Sequence, residues 1–187
     1  TSEDEAALTG KIREIESYSV ERVGEMLAPD LFLINHDSDD PAAFGRGIEM
    51  AKAGSGKHLI LDCPDREALA KGIEILKDDR PAILLKDSLS DADLETAKAH
   101  GAGLILTGKT LDDLSGQAGK ARDAGFNDII LNYETSNMAG ELQANTVMRR
   151  SALKKDYKPF GYPLFSRIEA KDGVGVLARA TVALCKY

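Results

Sequence analysis

Short unbroken apolar runs alternate along this chain with longer stretches in which apolar positions recur at helical spacing. Residues 31–35, 58–62, 82–86, 104–107 and 128–131 are of the first kind, with 164–168 a run broken by Ser166 and Arg167; each predicts a strand, and 128–131 one buried on both faces. Residues 41–53, 65–76, 90–99, 111–124, 138–153 and 174–184 are of the second kind and predict helices. Phe44, Ile48 and Ala51 mark the inward face of the first of these, and Leu69, Ile73 and Leu76 that of the next. Strand and helix taken in turn are the signature of βα units around a parallel sheet, and about six units are legible.

The N-terminal part lacks this rhythm. Residues 1–10 are acidic and predict a frayed segment, and residues 11–17 a short helix or an extended arm. Val20, Val23 and Leu27 stand at helical spacing behind Ser19, so residues 19–27 predict a helix that Pro29 ends. Two architectures use the alphabet that follows. A doubly wound sheet closes with five or six strands, whereas a (β/α)8 barrel needs eight and typically about 250 residues. The chain stops at Tyr187 directly after an apolar helical run, and it starts at Thr1 without a methionine. The expectation is therefore an incomplete (β/α)8 TIM barrel of about six βα units. One domain over residues 1–187, as part of a longer polypeptide, is the matching expectation for its organisation.

Composition narrows the functional classes. The 187 residues are 43% hydrophobic and 29% charged, enough for one sizeable core. A net charge of −7 without a basic cluster argues against nucleic acid or an anionic membrane as partner. No apolar run approaches the roughly 20 residues that cross a bilayer, so a cytoplasmic location is expected. Cys63 and Cys185 lie in different elements and read as reduced thiols. Two cysteines cannot supply the four thiolates of an iron–sulfur cluster.

In parallel α/β folds, ligand-handling groups gather where strands end and loops begin. The polar stretch Asn132, Tyr133, Glu134, Thr135, Ser136 and Asn137 follows the fifth strand and is the first candidate; an ordinary loop with an Asn or Ser helix cap explains it equally well. Asp62 ends the second strand and Asp87 follows the third. Together with Asn132 they would meet on one face of the sheet, suited to a flat heterocycle or to acid/base work. The competing explanation makes Asp62 and Asp87 caps of the helices starting near Asp65 and Ser90. His36 follows the first strand, at a position where a barrel places ligand contacts, and the acids from Asp37 to Asp40 before Pro41 read as a helix start. Residues 103–110 formally match the phosphate-loop pattern G-x-x-x-x-G-K-[ST]. Its variable positions, however, are the apolar strand 104–107, which leaves weak anion binding near Lys109 and Thr110. No catalytic triad or paired zinc-ligand spacing is present, so neither a catalytic residue nor a metal ligand is assigned.

Several segments, in order, resemble one known family. They are Val20-Glu21-Arg22-Val23-Gly24-Glu25-Met26-Leu27, Ser38-Asp39-Asp40-Pro41, Asp79-Arg80-Pro81, Met148-Arg149-Arg150-Ser151-Ala152-Leu153 and Phe160-Gly161-Tyr162-Pro163. The likeness is to the central barrel of the corrinoid iron–sulfur protein large (gamma) subunit, which works with carbon monoxide dehydrogenase/acetyl-CoA synthase, and it runs from about Gly10 to Tyr187. It implies a TIM barrel that does no chemistry alone and pairs with a small barrel subunit as a heterodimer. It also implies methyl transfer between a methyltetrahydropterin-dependent methyltransferase and acetyl-CoA synthase, with the corrinoid and the iron–sulfur cluster held in flanking domains. Where that family tends to have an Asp-Pro-Gly-Thr-like loop, this chain has Asn132 to Thr135, so Glu134 and Thr135 join Asp62, Asp87 and Asn132 as candidate cofactor contacts. Two other functions stay open: a pterin-binding barrel methyltransferase using Asp62, Asp87 and Asn132, and a phosphate-binding α/β domain using Lys109 and Thr110.

Overall fold

A computed structural model describes residues 4–38, 40–135, 137–168 and 173–186. Asp39, Ser136 and Tyr187, which belong to the helix-start, loop and chain-end expectations above, lie outside the described residues. By its internal contacts the chain divides into two compact units. One takes in residues 1–84 and 99–102, the other residues 85–98 and 103–187.

The first unit opens with α1 (Glu5–Ser17), where a frayed segment and an arm were expected. Asp4 caps it by accepting the Ala7 N–H at 2.7 Å, and Ile12 is buried, so acidic residues at the N-terminus serve the helix dipole. The helix expected over residues 19–27 is instead a hairpin of β1 (Val20–Arg22) and β2 (Glu25–Leu27), antiparallel with Val20 opposite Leu27. Between the strands Val23 and Gly24 take φ of 54° and 82°. Two successive left-handed residues make the tight turn whose twist matches paired strands. A valine there is strained, and only the glycine fits without cost.

β3 (Leu31–Asn35), β4 (His58–Asp62) and β5 (Ala82–Leu85) then run parallel, with α2 (Pro41–Gly54) and α3 (Arg66–Ile75) as crossovers. Phe44, Ile48, Leu61 and Ile73 are fully buried where these helices meet the strands. Gly72 makes the close approach possible, because a Cβ there would fall 2.7 Å from Ile48 Cδ1 and 3.0 Å from Phe44 Cε1.

The second unit takes in α4 (Asp91–His100) up to Lys98, then β6 (Gly103–Gly108), α5 (Leu111–Asp123), β7 (Ile129–Tyr133), α6 (Met138–Lys155), a 3-10 turn (Lys158–Phe160), β8 (Leu164–Phe165) and α7 (Gly173–Lys186). β6 and β7 pair from Leu104 opposite Ile129 to Gly108 opposite Tyr133, and β8 joins β7 with Phe165 opposite Asn132. Leu104, Ile105, Leu106, Leu114, Leu131 and Met148 are fully buried, each removal from water contributing roughly 1.5–3 kcal/mol. Two strands end two or more residues away from expectation. β7 runs through Asn132 and Tyr133, which the sequence placed in a loop. β8 stops at Phe165, short of the expected Ile168.

Among the described residues the six parallel strands follow the order β3-β4-β5-β6-β7-β8. A doubly wound sheet reverses its order at a switch point, and this one does not. The fold is α/β with the topology of an incomplete (β/α)8 barrel.

Candidate functional site

In the first unit the ends of β3 and β4 are fixed by backbone pairing and packing. Asn35 lies opposite Asp62, and the His36 N–H donates to the Asp62 carbonyl at 2.8 Å. The Asp62 side chain is fully buried. It does not cap the next helix: Asp65 does, accepting the Glu67 N–H at 2.8 Å and the Ala68 N–H at 3.4 Å. The ring of His36 rests on Phe44 at 5.2 Å between centroids, and its Nδ1 is buried without a hydrogen-bond partner. Asp40 caps α2, taking the Ala42 N–H at 2.9 Å and an Arg46 guanidinium contact at 3.2 Å. The first of these bonds, then the second, holds its carboxyl below the usual range. The acidic stretch before Pro41 is thus a helix start. Cys63 is buried, and its thiol donates to the Asp65 carbonyl at 3.2 Å.

The ends of β6 and β7 in the second unit are fixed by side chains. Asn132, only 6% exposed, donates from Nδ2 to Thr107 Oγ1 at 3.1 Å across the two strands. Gln117 on α5 donates to the Thr107 carbonyl at 3.0 Å and to Asp113 at 3.1 Å, and its Oε1 accepts the Leu89 N–H at 3.0 Å. Glu134 leaves the strand with its N–H on the Gly108 carbonyl at 2.9 Å and its carboxylate 4.0 Å from Lys109 Nζ. Thr135 accepts the Asn137 N–H on its hydroxyl at 3.1 Å and Arg179 Nη2 on its carbonyl at 3.1 Å. Arg179 in turn binds Glu141 Oε2 through Nη2 at 2.7 Å and Nε at 3.2 Å, and both side chains are about nine-tenths buried.

Of the predicted site residues, Asp62 belongs to the first unit and Asp87, Asn132, Glu134 and Thr135 to the second. Asn132, Glu134 and Thr135 share the end of β7. Asp87 is exposed in the turn before α4 and does not cap it. That helix starts at a reciprocal box, in which the Asp93 N–H donates to Ser90 Oγ at 3.2 Å and the Ser90 N–H to Asp93 Oδ2 at 3.0 Å. The first six residues of the phosphate-loop match form β6, as its apolar residues foretold, and Thr110 caps α5 by accepting the Asp113 N–H at 3.1 Å. The sequence reading missed Gln117, Glu141 and Arg179. A signal existed for two of them: Glu141 occupies the face that carries Ala144 and Met148, and Arg179 interrupts an otherwise apolar helix. Among the described residues no three His, Cys, Asp or Glu side chains are grouped to hold a metal, and no helix is long and apolar enough to cross a membrane.

Unreversed βα topology with polar side chains at the C-terminal strand ends defines a barrel-type α/β domain. Comparison with known proteins makes this specific. The chain belongs to the family described as CO dehydrogenase/acetyl-CoA synthase delta subunit, whose model it matches over residues 1–184. The corrinoid/iron-sulfur protein large subunit of Moorella thermoacetica is 25% identical over 181 residues, covering 96% of this chain and 41% of that protein. The acetyl-CoA decarbonylase/synthase complex subunit gamma of Methanocaldococcus jannaschii is 28% identical over 168 residues, covering 87% and 34%. Its namesake in Archaeoglobus fulgidus is 28% identical over 166 residues, covering 86% and 35%. The chain thus spans about two fifths or less of the length of these relatives.

Proposed function

We propose that this chain is the barrel scaffold of a corrinoid iron–sulfur protein, the carrier of a methyl group from methyltetrahydropterin to acetyl-CoA synthase, and that it makes and breaks no bond itself. The observation that carries this reading is where the strand-end side chains of the second unit go. The Asn132 amide is spent on the Thr107 hydroxyl and the Thr135 hydroxyl on the Asn137 N–H, bonds that fix strand and loop rather than present a reacting group, while Glu134 faces Lys109 across 4.0 Å at the surface. The names of the relatives support the corrinoid and iron–sulfur assignment.

This chain's own residues do not fit an iron–sulfur cluster. It has two cysteines, and the thiol of Cys63 is buried against the Asp65 carbonyl, whereas such a cluster takes four thiolates. On this reading, cluster and corrinoid are held by the parts of the longer relatives that this chain does not cover. The barrel joins those parts, pairs with a small barrel subunit, and meets the pterin-dependent methyltransferase and acetyl-CoA synthase in the cytoplasm.

The test incubates the polypeptide with methyltetrahydrofolate and a free reduced corrinoid, with and without a methyltransferase. Methylcorrinoid formation should follow the methyltransferase alone, and gel filtration with a corrinoid-protein small subunit should give a one-to-one complex. Methyl turnover by this chain by itself would overturn the scaffold reading. Saturable methyltetrahydrofolate binding that disappears in Asn132→Ala would put a pterin-binding methyltransferase in its place.

A further inference from the structure

The end of α6 carries charge that nothing else in the chain answers. Residues 149–158 hold five basic side chains and one acid, a local excess that the net charge of −7 conceals. Among the described residues Arg150, Lys154, Lys155 and Lys158 are exposed and meet no carboxylate. On other helices, Arg46 holds Asp40 at 3.2 Å, Lys71 holds Glu67 at 2.8 Å and Lys120 holds Asp91 at 2.9 Å. With 31 acids against 24 lysines and arginines in the chain, the cations of α6 are not left over for want of acids.

Local energetics do not account for them. Lys154 and Lys155 in the last turn offset the helix dipole, but that effect fades within a turn and Arg150 lies before it. Arg150 and Lys154 stand four residues apart on one face, where like charges repel. Leu153 lies between them and is 74% exposed, and Val147, one turn earlier, is 39% exposed. Beside the helix end a groove of about 320 Å³ has Arg122 and Lys158 in its wall together with Asp156, Tyr157 and Tyr162. The cations select a partner that brings carboxylates, and Leu153 selects one that also brings an apolar side chain. Nucleic acid and an anionic bilayer fit this surface poorly. A chain of net charge −7 repels a polyanion as a whole, and the apolar face of α6 that a bilayer would need is buried at Ala144 and Met148.

We propose that the outer face at the end of α6 docks an acidic segment of another protein, with carboxylates on Arg150, Lys154 and Lys158 and an apolar side chain on Leu153. No strand-end residue takes part, so the surface does not rest on the scaffold reading, and methyl turnover by this chain would leave it standing.

Fluorescence anisotropy of a dye-labelled peptide, glutamates flanking one leucine, tests the proposal. Binding should saturate at one peptide per chain and weaken as salt is added. Arg150→Glu with Lys154→Glu should raise Kd about tenfold or more, whereas the same change of net charge at paired cations, Lys71→Glu with Lys77→Glu, should alter it less than about threefold. Leu153→Ser should weaken the peptide about threefold and leave unchanged the binding of a version with serine in place of leucine. Non-saturating anisotropy, equal Kd in the parent and the α6 reversal, an equal loss in both reversals, no loss in Leu153→Ser, or tighter binding of labelled oligothymidylate or of phosphatidylserine vesicles would overturn the proposal. If circular dichroism shows the α6 reversal to be unfolded, Leu153→Ser with the two peptides decides it.

Discussion

Two strand ends in this molecule do the same task by different means. At the end of β4 the chain is held by the backbone bond from His36 to Asp62 and by Phe44 packed under the His36 ring, while His36 Nδ1 is left without a partner. At the end of β7 it is held by side chains drawn from far along the sequence: Thr107 for Asn132, and Arg179 with Glu141 for Thr135. The first arrangement depends on fit and tolerates polar loss. The second depends on polar partners, and the removal of one leaves another buried and unsatisfied.

The largest test breaks the second arrangement. Arg179→Met leaves Glu141 charged and buried, and removal of one member of such a pair costs about 3–5 kcal/mol. Urea denaturation should show that loss, and Glu141→Leu added to Arg179→Met should recover much of it, since an apolar pair of similar volume is often neutral. The arrangement based on fit breaks differently. Gly72→Ala drives a methyl to within 2.7 Å of Ile48 Cδ1 and should cost about 1–3 kcal/mol by overpacking.

Two further substitutions sharpen the contrast through sign. Asn132→Ala strands the Thr107 hydroxyl between β6 and β7 and should cost about 1–2 kcal/mol in the same denaturation assay. His36→Leu removes a polar group whose Nδ1 has no partner and keeps a side chain to cover Phe44. It should be neutral or stabilising by up to about 1 kcal/mol. A loss as large as that of Asn132→Ala would remove the distinction between the two strand ends.

The same division governs how far the sequence could be read. The βα rhythm was legible because each buried strand is a run such as Leu104-Ile105-Leu106, and its helix repeats apolar residues at 3.6 spacing. The hairpin at residues 20–27 was not, since Val20, Val23 and Leu27 fit a helical face, while the left-handed pair Val23 and Gly24 is a backbone fact with a weak sequence signal. Asn132 and Tyr133 looked like loop because they are polar. They are strand because Thr107, 25 residues earlier, receives the buried amide. Arg179 and Glu141 stand 38 residues apart, and only packing of α7 on α6 joins them. The end of β7 was thus found by position, and its chemistry was hidden in long-range partners.

The smallest effect concerns the outer side of the same loop. Glu134 and Lys109 approach to 4.0 Å, but their side chains remain 54% and 80% exposed. Water and salt screen such a pair, and holding two long side chains together costs entropy, so Lys109→Ala should change stability by no more than about 0.5 kcal/mol. The Glu134 N–H still holds the Gly108 carbonyl at 2.9 Å, and Arg179 still holds Thr135. The loop therefore keeps its anchors without the lysine. Urea denaturation at low and at high salt separates the possibilities: a small loss that vanishes in salt is the screened pair. A loss near that of Arg179→Met, unchanged by salt, would mean that the loop is held from outside and that the contrast between buried and exposed anchoring at β7 is wrong.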